Sequence, residues 1–231
     1  MQKAANSNAV SIVLLIDVNG KELRSQTWVS NRNGDVTYKD KKTGEEKNLP
    51  GFNQMNSLFM LILGQELGDA DVEELTIKLY DFEAKKELPQ SVECFTELHG
   101  EKVTIAVQEQ IVDKTEKNDN TGDYEPTGET RNVNEIIKFF AADKTVTISE
   151  VAEFIKSLGG NFDEVLADGD LLKAISKMDD EAGNYADKWL ERNKGQTYDK
   201  STGKKAEGKS FNSRSGSSGS GSKSKPSLFD D

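Results

Sequence analysis

Cysteine and histidine are almost missing from this chain: Cys94 and His99 are each the single residue of their type. One cysteine excludes an internal disulfide, and one of each leaves too few ligands for a structural zinc site. Catalytic signatures are missing too, with no Walker-type glycine loop, no GxSxG, no HExxH and no second histidine for a triad or metal pair. The chain therefore reads as a non-enzyme without metal or cofactor. Cys94, in SVECFTEL, reads as a buried free thiol rather than a nucleophile. No apolar run reaches the roughly 18 residues that a membrane span needs, and no basic-then-apolar leader opens the chain, so a cytoplasmic protein without a membrane partner is expected.

Acid, by contrast, is plentiful. There are 41 acidic against 30 basic residues, a net of −11, and the mean hydropathy is −0.68. The charge is divided unevenly. Residues 200–231 hold seven basic and three acidic residues, a net of +4, whereas the rest holds 23 and 38, a net of −15. A Gly/Ser/Lys stretch buries too little apolar surface to offset the entropy of ordering, so 200–231 is expected to be a disordered linker. It ends in an apolar and acidic tip, Leu228, Phe229, Asp230 and Asp231. That tip suits a small apolar pocket rimmed by Arg or Lys on a partner protein.

The remainder predicts a mainly β protein with appended helices. Val10 to Val18 and Lys21 to Ser30 flank Asn19-Gly20, a type I′ hairpin signal, because both central residues need positive φ. Val13 and Leu15 make the second face of the first strand apolar, which predicts burial on both sides. Val36 to Lys39 reads as a short third strand, followed by a charged loop. Phe52, Met55, Leu58, Phe59 and Ile62 recur at helical spacing, with Gly64 and Gly68 as candidate stops, which favours a helix over the buried strand that the continuous run Leu58 to Leu63 also allows. Val72 to Phe82 alternates as a strand, residues 84–101 read as an irregular connection or short strand, and Lys102 to Asp113 reads as the last long strand. The order strand, strand, strand, helix, strand, strand is that of an OB-fold, a Greek-key barrel over residues 1–140 with a long loop at 114–130. Residues 141–199 form a helical region. It opens on the capping-box pattern Thr147 to Glu150 and continues through Phe162 to Met178, interrupted at Asp168-Gly169-Asp170, and Asn184 to Asn193. Asp168-Gly169-Asp170 and Asp179-Asp180-Glu181 read as solvated charge rather than magnesium ligands.

Two kinds of side chain coincide on the strands. Arg24 and Trp28 share one face of the second strand, Lys78, Tyr80 and Phe82 share one face of the 72–82 strand, and Tyr38 and Lys39 lie between them in sequence. Single-stranded nucleic acid is held by this mixture, since bases stack on aromatic faces at about 1–3 kcal/mol each while Lys and Arg follow the phosphates. The competing reading puts these aromatics in the core.

With the segment Glu129 to Phe140, ETRNVNEIIKFF, these features resemble a bacteriophage single-stranded DNA-binding protein: an OB-like core, a helical region and a tail ending in acid beside an apolar residue. The resemblance implies sequence-independent binding of single-stranded DNA in replication or recombination, in the host cytoplasm. It also implies that Phe229, Asp230 and Asp231 contact replication or recombination proteins and compete with DNA for the basic groove. Bacterial relatives end in a longer acidic run with the aromatic last, whereas here two acids follow Phe229 and the linker is basic. The helical region is expected to support the barrel or mediate self-association. A second expectation, from the net of −15, is an acidic interaction factor or DNA-mimic inhibitor without DNA affinity, which would spread carboxylates where a binder gathers Lys and Arg.

Overall fold

The computed structural model describes residues 1–4, 6–81, 84–118, 124–142, 144–178, 185–200 and 204–206. Strands β1 (Gln2–Lys3), β2 (Val10–Val18) and β3 (Lys21–Trp28) make an antiparallel sheet with β2 in the middle. Two hairpins flank helix α1 (Pro50–Leu63) in sequence: β4 (Thr37–Lys39) with β5 (Glu46–Asn48), and β6 (Glu73–Asp81) with β7 (Lys86–Cys94). Next come the long strands β8 (Val103–Lys117) and β9 (Tyr124–Ala141). Helices α2 (Ile148–Ser157), α3 (Phe162–Ala167), α4 (Leu171–Ser176) and α5 (Tyr185–Asn193) lead to β10 (Thr197–Asp199) and β11 (Lys204–Ala206). The second sheet has the order β11-β10-β8-β9, with β10 parallel to β8. The chain is thus a mixed β and α protein, and among the described residues its sheets are open, none closing into a barrel.

α1 is the hub of the core. Its apolar residues recur three and four apart, so Met55, Leu58 and Phe59 fall on a common buried stripe. Pro50 sits in the first turn, where its missing N–H costs nothing, and Gly64 closes the helix in the left-handed region. Phe59 is fully buried and meets Phe95 edge-on at 4.7 Å. Ile12 reaches this core from β2 and Val29 from just beyond β3, Ile136 and Phe139 from β9, Val151 and Ile155 from α2, and Leu171 and Ile175 from α4. Each such side chain stabilises the fold by about 1.5–3 kcal/mol. Residues on both sides of position 140 therefore share one core.

Gly51 sets how closely α1 approaches β3. A Cβ there would lie 2.1 Å from the Trp28 carbonyl oxygen, which is backbone and has no rotamer by which to move. Gly51→Ala is therefore expected to push α1 off the end of β3 and cost about 1–3 kcal/mol, the range for overpacking. A urea midpoint unchanged from the parent protein would refute this close approach.

The helical expectations are met. Thr147 Oγ1 accepts from the Glu150 amide while the Glu150 carboxylate accepts from the Thr147 amide, so the capping box is complete. The interruption at Asp168-Gly169-Asp170 separates α3 from α4, and Gly195, at φ 67°, follows α5.

Four expectations need correction. The loop placed at 114–130 is mostly strand: residues 114–117 and 124–130 continue β8 and β9 as an antiparallel ribbon with a bulge between Asp113 and Thr115. Its side chains are largely exposed, so it has no apolar alternation to read. Backbone pairing and polar cross-strand contacts hold it, including the Lys114–Glu129 ion pair at 2.7 Å. For the same reason the charged loop after β4 conceals the exposed strand β5. Of the two alternatives for 84–101 the strand is the one found, nine residues long at 86–94, and Cys94 at its end is half-buried, not buried. The linker expected from residue 200 contains β11, which pairs with β10 from Thr197↔Ala206 to Asp199↔Lys204. Strand addition needs only backbone donors and acceptors, which an edge such as β8 supplies.

Candidate nucleic-acid interface

The β2–β3 hairpin builds the best-defined face. Asn19 at φ 55° and Gly20 at φ 79° both occupy the left-handed region that the type I′ turn requires, and the Gly20 amide donates to Asp17 Oδ1 at 2.7 Å. The turn sets the register Leu15↔Arg24, Val13↔Gln26, Ser11↔Trp28, and directly opposed residues share a face. Ile12, Leu14, Ile16 and Leu23 therefore point the other way and pack on the core. Gln26 Nε2 donates to Ser11 Oγ at 2.9 Å and Ser11 Oγ to the Gln2 carbonyl at 3.2 Å, which ties the outer face to β1. The expected burial of β2 on both faces is not found: β2 is central, yet Leu15 is 58% exposed.

Trp28 is 47% exposed, and Arg24, four residues along the same strand, makes no side-chain hydrogen bond or ion pair with a described residue. At the strand's rise the two lie about 13 Å apart. Tyr38 and Tyr80 are 42% and 53% exposed. Buried aromatic residues are instead phenylalanines: Phe59, Phe95, Phe139 and Phe140. Partly exposed rings such as Trp28 and Tyr38 can offer a π-face to a base.

The other expected residues lie on two further hairpins, in ladders separate from that of Arg24 and Trp28. Tyr38 opposes Lys47 on β5, and Lys39, its chain neighbour, opposes Glu46 and points to the other side. Lys78 and Tyr80 do share a face of β6–β7, but the register adds Glu74, Glu87 and Glu93 to it. Glu93 pairs with Lys3 at 3.9 Å, so three carboxylates against Lys78 and Lys3 make that face a poor phosphate contact. Phe82 and the tip residues Leu228, Phe229, Asp230 and Asp231 lie outside the described residues, as does Asp179-Asp180-Glu181. A residue missed by sequence reading is Tyr124, highly exposed at the end of the β8–β9 ribbon opposite Lys117. Only recognition of the ribbon could have found it.

Lys47, beside Tyr38, is held by Asp40. The two are 2.9 Å apart, and the Asp40 carboxyl is lowered from 3.8 to about 2, first by the Lys47 hydrogen bond and then by the amides of Lys42 and Thr43. The folded value lies below the unfolded one, so this pair supports the hairpin fully above about pH 4 and its support is lost as the pH falls through about 2. An NMR titration should show Asp40 titrating near 2, whereas a midpoint near 4 would contradict the pairing.

Among the described residues no group of three His, Cys, Asp or Glu side chains could hold a metal ion, and no helix is long and apolar enough to cross a membrane. No protein-family model, curated protein or solved structure matches the chain.

Proposed function

We propose that the chain is a non-enzymatic, sequence-independent single-stranded DNA-binding protein of phage replication or recombination, acting in the host cytoplasm. The observation that carries this reading is Trp28, partly exposed on the same sheet face as Arg24, a face whose reverse side is core. Tyr38 on the neighbouring hairpin in sequence adds a second exposed ring. What the reading shares with an OB-fold is the order of strands around α1 along the chain, not a closed barrel. In this reading Leu228, Phe229, Asp230 and Asp231 recruit replication or recombination proteins, and the helical region supports the core.

The test is fluorescence anisotropy of a labelled single strand of roughly 30 nucleotides, a few OB-fold footprints long, and of the matching duplex, at two salt concentrations. Salt-sensitive binding to the single strand alone is expected, tightened when the chain ends at Lys225. No binding at low salt would end this reading. It would favour the acidic interaction factor or DNA mimic, which the Glu74, Glu87 and Glu93 face supports.

A further inference from the structure

Resting on that reading, we propose a second base-binding site, a cleft between α5 and the edge of β8 that takes one nucleobase of the bound strand against Trp189. The cleft encloses about 440 Å³ and opens where the chain leaving α5 turns in to join β8 as β10. Trp189 is half-buried, and Leu190 and Val107 beside it are exposed, so one wall is apolar and partly aromatic. Such a wall suits the flat face of a base.

The rest of the cleft is rich in carboxamides. Asn193 Nδ2 donates to the Trp189 carbonyl at 2.7 Å, and Asn193 Oδ1 accepts a long 3.4 Å contact from Gln108 Nε2. Asn134 and Gln196, which also line the cleft, make no side-chain hydrogen bond to a described residue. A carboxamide presents a donor and an acceptor side by side, which matches a base edge. The charge present argues for a base rather than a phosphate. Glu109, engaged by Thr197 Oγ1 at 2.7 Å and Asn132 Nδ2 at 3.0 Å, faces the cleft with Lys194, so no net positive charge gathers there. α5 also ends here, and the partial negative charge of a helix C-terminus repels phosphate.

Trp28 and Trp189 are the two tryptophans of the chain, so each can be read alone. Full-length Trp28→Phe and Trp189→Phe proteins are titrated with unlabelled single strand while tryptophan emission is recorded, with anisotropy of a labelled strand as an independent measure of binding. Saturable quenching is expected in both proteins. The exposed double substitution Asn134→Ala with Gln196→Ala should lower affinity by roughly three- to tenfold with an unchanged melting temperature, as hydrogen bonds to one base are lost. Strand binding with Trp189 emission unchanged would overturn this site and leave the single-strand reading intact. No anisotropy change with any of the proteins would overturn both.

Discussion

Trp28→Ala is expected to weaken single-strand binding by about fivefold to 150-fold, the loss of one stacked base at about 1–3 kcal/mol, while leaving the fold nearly as stable as before. Both halves follow from where the ring is. Its side chain stands on the outer face, 47% exposed, so truncation opens no cavity in the core. Its backbone carbonyl, which α1 approaches through Gly51, is untouched by the substitution. Anisotropy gives the affinity and urea unfolding the stability. Unchanged affinity would move the interface off β2–β3, and a large loss of stability would mean that the ring is structural. Arg24→Ala should instead reduce the salt dependence, because it removes a phosphate contact and no stacking surface.

Phe59→Ala should have the largest effect on stability, about 3–5 kcal/mol. Phe59 is fully buried at the point where α1 meets the rest of the core, and it loses its edge-on partner Phe95 as well as its own buried area. Against a total of roughly 5–15 kcal/mol for a typical domain, that is enough to leave a substantial unfolded fraction at physiological temperature. Denaturant unfolding followed by circular dichroism measures it directly. A cost under about 1 kcal/mol, well below the range for such truncations, would mean that α1 is not the hub.

The legible parts of this fold are those with local chemistry. Asn19-Gly20 announces its turn because few residues tolerate positive φ, Thr147 and Glu150 announce α2 because they satisfy each other's amides, and α1 is readable from its stripe. The ribbon beyond Asp113 was illegible for a physical reason: a strand solvated on both faces needs no apolar alternation, so KTEK and YEPTGET look like loop. Strand β5 was hidden in the same way, and β10 and β11, three residues each, are too short to show a period. The candidate site divides along the same line. Period two alone places Arg24 and Trp28 on one face, since that face is a property of one strand. Whether Tyr38, Lys78 and Tyr80 join it depends on strand pairing, which sets them in separate ladders and puts Glu87 and Glu93 on the same face as Lys78. No local pattern encodes which carboxylates a register will deliver.

The most direct measurement of the central claim is a map of where a single strand touches the protein. A thymine-rich oligonucleotide carrying iodouracil is photocrosslinked to the full-length chain, and the attached peptides are sequenced by mass spectrometry. Attachment at Trp28, with Tyr38 and Trp189 as further sites, is the predicted result. Crosslinks confined to α2, α3 and α4, or none under conditions where a known single-strand binder is labelled, would contradict it.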